Sequence, residues 1–251
     1  MSILTVARLE WRRLWVRPLA WLVAAVVLAA MAWELVLMLG PYLSSQPRLI
    51  ASGVAVGYTD LVLLPWLALF VFAAVLMTPL ITMSSLAGER RNGTLALLLS
   101  SGLSPTRIVL GKYLAALGWL LLVLALVVLM PAVLSFAGMP DWGKLASALL
   151  GLVLLLAMLG AIGIAASAYA AHPAVAAAAS FVVAIVLLVI NKASLQQGVM
   201  GGIANWLALS THLQPMGRGL VSSDDIAWFV IVTVLALGLA IARLAQEKDR
   251  D

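Results

Sequence analysis

The chain has no cysteine, two histidines and very little charge for its 251 residues. Without cysteine there is no disulfide framework, no thiolate zinc site and no thiol nucleophile. No histidine pairs with a glutamate at metal-ligand spacing, and Ser167 and Ser180, which fall in apolar runs, have no base near them in sequence. Metallohydrolase and serine-hydrolase chemistry are therefore disfavoured. Gly111-Lys112 and Gly143-Lys144 are the only Gly-Lys pairs, and neither is followed by serine or threonine. No phosphate-binding loop of the G-x-x-x-x-G-K-[ST] type can be built. Charged residues make up 10% of the chain and hydrophobic ones 65%, against roughly 25% and 45–50% in soluble domains. A soluble globule could not cover that much apolar surface. The composition excludes a soluble enzyme, a disordered chain and a fibrous protein, and leaves an all-α integral membrane protein.

A bilayer core about 30 Å thick needs about 17–25 apolar residues per helix. Six stretches qualify: Pro18–Leu39, Thr59–Met83, Tyr113–Gly138, Leu145–Ala168, Ala174–Ile190 and Ile226–Ala242. The charge-free run from Leu145 to Ile190 would be roughly 70 Å long as one helix. It must turn, and His172-Pro173 is its one break, because proline disfavours helix at the residue before it. Pro65 and Pro79 fall inside the second span, where neighbouring helices can satisfy the freed carbonyls.

The fifteen basic residues outnumber ten acidic ones, and their distribution reads as topology rather than nucleic-acid binding. Arg8, Arg12, Arg13, Arg17, Arg90, Arg91, Arg107, Lys112, Arg243, Lys248 and Arg250 flank one side of the spans; Arg48, Lys144, Lys192 and Arg218 flank the other. The split of eleven to four predicts cytoplasmic termini, with Asn92 and Asp251 inside and Ser44 and Gln197 outside. Ala30-Met31-Ala32 resembles a leader cleavage site, but the apolar run continues past it to Leu39, as a crossing does and a leader does not.

Residues 1–17 place Leu4, Ala7, Trp11, Leu14 and Trp15 on one helical face, with Arg8, Arg12 and Arg13 toward the other. This is the pattern of an interfacial helix lying on membrane lipid before the first crossing. Residues 84–112 form the most informative connection. Asn92-Gly93 signals a turn. Thr94 is placed to cap a short helix through Leu95–Leu99 that stops at Gly102, and Ser104-Pro105 opens the next helix. A short apolar helix between two crossings, beside Glu89-Arg90-Arg91, suits a cytosolic partner; the alternative is a charged loop that only sets topology.

Glu89-Arg90-Arg91-Asn92-Gly93-Thr94-Leu95, then Leu97-Leu98-Leu99, Ser104 and Ile108-Val109-Leu110-Gly111-Lys112 resemble the signature of ABC-2 type transporter permeases. Ala96 stands where that family often has glutamate, and Gly102 where it often has proline. Ser210-Thr211-His212, Arg218-Gly219 and Asp224-Asp225-Ile226-Ala227-Trp228-Phe229 resemble a pattern of the branch holding the gliding-motility and nitrous-oxide-reductase-maturation permeases. The resemblance implies a single ABC-2 transmembrane domain in a bacterial inner membrane, with a coupling helix in residues 84–112. It implies ATP and Mg²⁺ in a separate ABC ATPase subunit, no cofactor in this chain, and a second permease copy or a homologous permease to complete the path. Glu89, Arg90, Arg91, Gly93, Thr94, Leu95, Leu97 and Leu98 would then couple to the ATPase. The outer segment 191–225 would form a cap, with a short helix over Ile203–Leu209, and His212 and Arg218 are candidates for tying it.

Glu34 and Asp60 are the acids within or at the edge of a span, and an intramembrane carboxylate is a functional candidate. Both lie close enough to an expected span end to reach the interface. Ala157, Ala161 and Ala165 and the run Ala174–Ala179 supply small faces for helix packing. An ion-coupled carrier and a non-transporting scaffold or mechanotransmitter are the alternative readings.

Overall fold

In the computed structural model, residues 2–52, 57–100, 102–133, 141–190 and 199–249 are described. All regular structure among them is helical. Five helices are long and apolar enough to cross a membrane, and the sixth expected crossing is a shorter apolar helix of 17 residues, Pro173–Val189.

Helix α1 (Ile3–Val16) is started by the Ser2 hydroxyl, which accepts from the Thr5 amide. It packs along α6 (Pro105–Val133). Gly111 and Gly118 make the close approach possible: a Cβ at Gly111 would lie 2.6 Å from Val6 Cβ, and one at Gly118 would lie 2.8 Å from the Trp11 ring. The packed face is centred on Val6 and Leu14, both buried, while Leu4 is 74% exposed. The sequence expectation had grouped Leu4 with that face.

Helix α2 (Pro18–Ser52) runs well past the expected span end at Leu39. Pro41 and Pro47 lie inside it without ending it, since each proline removes only one ladder bond. A π-helical turn, Thr59–Leu63, leads into α3 (Leu64–Thr82). Pro65 has no N–H to give to Leu61, and immediately before it the Leu64 amide bonds five residues back to Thr59. Trp66, Phe70, Ala74 and Met77 form a fully buried stripe on α3, and Trp66 Nε1 donates to the Met31 carbonyl of α2 at 2.8 Å.

Two short helices follow, α4 (Ala87–Arg91) and α5 (Thr94–Ser100). Gly93 at φ 72° and Gly102 at φ 75° bracket α5, each in the left-handed region that glycine enters freely. Helix α7 (Trp142–Tyr169) starts at Asp141, whose side chain accepts from the Gly143 and Lys144 amides, and it lies at the centre against α3, α6 and α11. The chain breaks at His172, in extended conformation, before α8 (Pro173–Val189). The expected helix over Ile203–Leu209 is instead two, α9 (Val199–Leu207) and α10 (Leu209–Gly217), separated at extended Ala208. Helix α11 (Ser223–Lys248) closes the bundle. The helices alternate in direction, so α1, α4, α5, the α7–α8 turn and the end of α11 share one end. The π turn, α9 and α10 share the other.

Candidate functional site

At the α4 end the polar side chains converge into one knot. Lys112, on the first turns of α6, carries a side chain only 2% exposed. Its Nζ donates to Glu10 Oε1 of α1 and to Glu89 Oε1 of α4, both at 2.8 Å. Arg13 closes the ring from above, 2.9 Å from Glu10 and 3.1 Å from Glu89. The charge of Glu10, supported by Glu89, raises the Arg13 guanidinium above its ordinary pKa despite partial burial. Two acids and two bases thus hold α1, α4 and α6 together.

Arg90 forms the second half of the knot. Its guanidinium donates to the Ala168 and Ala170 carbonyls at the end of α7, and to both oxygens of Glu247 on α11 at 2.7 and 2.9 Å. Nη2 makes the contacts with Ala168 and Glu247 and Nη1 the one with Ala170, so one planar guanidinium bonds the ends of two helices. Arg243 joins Glu247 one turn away at 3.1 Å. The Ser167 hydroxyl accepts from the Leu86 and Ala87 amides and donates to the Met83 carbonyl, fastening the bend between α3 and α4 onto α7. Arg17 donates to Ser84 at 2.6 Å, and Lys248 reaches the Leu103 carbonyl at 3.4 Å.

The residues expected to couple divide into two groups. Glu89 and Arg90 point inward, into the knot. Leu95 and Leu99 are buried in the main core and Leu98 is half-buried against it. The expectation of a short helix with an apolar face unsupported within the chain is corrected here, because Leu95 and Leu99 anchor α5 on the bundle. Arg91, Gly93, Thr94 and Leu97 are exposed, Leu97 at 70%. Thr94 does not cap α5 as expected: its hydroxyl donates back to the Glu89 carbonyl at 3.3 Å, folding α5 against α4.

At the opposite end, His212 is buried and stacked on Trp228, with ring centroids 4.5 Å apart. Its Nδ1 meets Asp225 Oδ1 of α11 at 2.8 Å, and its Nε2 donates to the Trp206 carbonyl of α9 at 3.0 Å. His212 therefore ties α9, α10 and α11 together. Arg218 does not join it and is exposed. Ser147 of α7 donates to the Met216 carbonyl at 2.7 Å, seating α10 on α7, where Gly151 leaves room for the Met216 side chain. Asp60 does not stand alone, as its Oδ1 lies 2.7 Å from Lys144 Nζ. Glu34 lies well inside α2, which continues past it to Ser52. It is nevertheless only one turn beyond Met31, which bonds Trp66 in the first turn of α3, so it sits level with the π turn. Gln197 and Asp251 lie outside the described residues.

Residues 44–239 match the family model described as ABC-2 family transporter protein. The chain belongs to the ABC-2 transporter family. No curated protein matches the chain. Membership makes it the membrane component of an ABC transporter, a multi-pass permease with an ABC ATPase as partner.

The match begins at residue 44, so within the permease it includes Glu89, Arg90 and Lys112 but not Glu10 or Arg13. Sequence reasoning missed Glu10, Arg13, Ser167 and Glu247 as site residues. One signal was available: Glu10 is a lone acid among the arginines of an interfacial helix. Lys112 stands in the basic-residue pattern and at the end of the family signature, neither of which assigns it a partner. Ser167 carried no local signal, because its partners lie some eighty positions away, and Glu247 showed only its i,i+4 neighbour Arg243, while Arg90 lies 157 positions away.

Proposed function

We propose that the α4 end faces the cytoplasm of a bacterial cell, that the ATPase docks on α5, and that the knot conveys its movement into the permease. The observation that carries this reading is the division of labour in residues 84–100. Arg91, Thr94 and Leu97 are exposed for a partner, while Glu89 and Arg90 bind four other helices from the inner side. A push on α5 is received by α4, and α4 is bonded to α1, α6, α7 and α11. The eleven-to-four distribution of basic residues supports the orientation, with both termini inside. ATP and Mg²⁺ belong to the ATPase, since this chain has no phosphate-binding loop. Six crossings form half of a path, and a second copy or a homologous permease completes it. Residues 210–229 support placing the permease in the gliding-motility and nitrous-oxide-reductase-maturation branch.

The test separates docking from anchoring. Leu97→Asp should abolish co-purification with the ATPase, or uncouple its hydrolysis, while leaving the melting temperature of the permease unchanged. Leu95→Asp should lower that temperature, because a carboxylate would enter the core. Wild-type ATPase binding and hydrolysis with the Leu97 variant would remove α5 as the docking element and return the loop to a topology role.

A further inference from the structure

We propose that the corner between α1 and α2 is a binding site for the phosphate head group of an anionic phospholipid. A cavity of about 600 Å³ opens there, lined by Leu9, Arg12, Arg13, Val16, Arg17 and Pro18. The spacing explains the grouping: residues 9, 12, 13, 16 and 17 follow the three- and four-residue intervals that share one helical face. This face is distinct from the one, centred on Val6 and Leu14, that packs on α6. It alternates guanidinium groups with apolar side chains, Val16 being 83% and Leu9 49% exposed. A phospholipid presents the matching pair of chemistries, a phosphodiester and an acyl chain.

Charge decides between an anionic and a zwitterionic lipid. Three carboxylates of this end are already engaged: Glu10 and Glu89 by Lys112 and Arg13, and Glu247 by Arg90 and Arg243. Arg17 bonds the neutral hydroxyl of Ser84. Among the described residues, Arg12 and Arg17 have no acidic partner, so the groove carries two uncompensated positive charges. Each guanidinium fork fits two phosphate oxygens at once.

The depth is also right. Trp15 and Trp21 meet edge to face at this corner, with ring centroids 5.1 Å apart, and Trp21 Nε1 donates to the Trp15 carbonyl. Both indoles stay more than 40% exposed. Paired, half-exposed tryptophans at a helix corner belong at the head-group level, where an amphipathic ring faces both phases. Arg13 lies in the groove and on Glu89 together, so a bound head group would touch the knot itself.

The site is independent of the ATPase reading, because lipid retention is measured on the full-length permease alone. The permease is exchanged into nanodiscs of phosphatidylcholine with a small fraction of phosphatidylglycerol, and retained lipid is counted by native mass spectrometry. Wild type should retain phosphatidylglycerol over phosphatidylcholine. Each basic residue near a membrane surface contributes about 1 kcal/mol toward an anionic lipid, so Arg12→Gln/Arg17→Gln should weaken that preference on the order of thirty-fold. Arg12→Gln alone, at an exposed position without a bonded partner, should weaken it about five-fold and guards against a folding defect in the double variant. Arg218→Gln, at the other end, should change nothing. Inorganic phosphate at millimolar concentration should not displace the lipid. The proposal fails if the double variant retains phosphatidylglycerol as wild type does, if both lipids are retained equally, or if phosphate alone empties the site.

Discussion

Replacing Lys112 with methionine is the most direct test of the knot. Its Nζ lies 2.8 Å from Glu10 and 2.8 Å from Glu89. The two carboxylates are themselves largely buried, with side chains 14% and 13% exposed. Methionine fills nearly the same volume, so packing is little changed and the charge is isolated as the variable. What remains is two acids sharing Arg13, which is 58% exposed and solvated. Removing one partner of a buried ion pair costs about 3–5 kcal/mol, because a desolvated charge is left behind. Here one of the two acids is left so. We expect Lys112→Met to destabilise the permease by about 3–5 kcal/mol and to uncouple ATP hydrolysis in the assembled transporter. Adding Glu89→Gln removes the surplus acid and leaves Glu10 opposite Arg13, one charge against one. The double variant should therefore recover part of the loss, with a coupling energy of about 1–3 kcal/mol in a double-mutant cycle. Reversible unfolding in mixed micelles gives the stability, and hydrolysis by the reconstituted complex gives the coupling. If Lys112→Met is as stable as wild type and the cycle is additive to within about 0.5 kcal/mol, the knot is an incidental cluster and the transmission argument fails.

Gly111→Val should lift α1 from α6, since even a Cβ there lies 2.6 Å from Val6 Cβ and 3.2 Å from the Ala7 backbone nitrogen; a loss of about 1–3 kcal/mol and faster amide exchange along α1 are expected, and unchanged exchange would show that α1 is not seated there. His212→Ala should leave the buried Asp225 carboxylate without its partner and remove the ring stacked on Trp228, at a cost of about 2–4 kcal/mol, read as increased exchange in α10 with the α4 end unaffected. For topology, the cysteine-free chain allows single-cysteine labelling: an impermeant thiol reagent added to intact cells should label Ser44→Cys and not Asn92→Cys, and labelling at Asn92 would invert the proposed orientation.

The long apolar helices were legible because burial in lipid imposes a length and a composition on each segment, and both are local properties. The turn at His172-Pro173 and the glycines that bracket α5 were legible for a similar reason, as each acts through its own backbone. The extent of α2 was not, since the apolar run ends at Leu39 while the helix continues through Pro41 and Pro47 to Ser52. The candidate site was half legible. Glu89 and Arg90 stood in a recognisable motif, but the direction in which they point depends on Lys112, Glu10 and Glu247, which the fold brings in from three other helices. The apolar stretch Leu95–Leu99 read as a surface for a partner because a sequence does not show which leucines face the chain's own core.

The placement of polar bonds also bears on how the permease can move. At the α4 end, side-chain bonds join α4 to α1, α6, α7 and α11. At the other end, Asp141–Thr59, Lys144–Asp60, Ser147–Met216 and His212–Asp225 hold the π turn, α7, α10 and α11. Between these ends the helices meet mainly through apolar side chains, Phe70, Met77 and Trp119 among them, in contacts with little directional preference. Hydrogen bonds and ion pairs have narrow geometric wells, whereas apolar faces can slide by small amounts at little cost. The parts most firmly bonded are therefore the ends, and the parts free to shear are the middles. Helix α8 makes no side-chain hydrogen bond to the knot among the described residues; it packs on α3 and α7, and on α4 only through small apolar side chains, Ala176 beside Ala87. A displacement of α4 is thus expected to carry α1, α6, α7 and α11 as a group, with α8 and its exposed face, which includes Val175, Val182 and Val186, changing tilt against them.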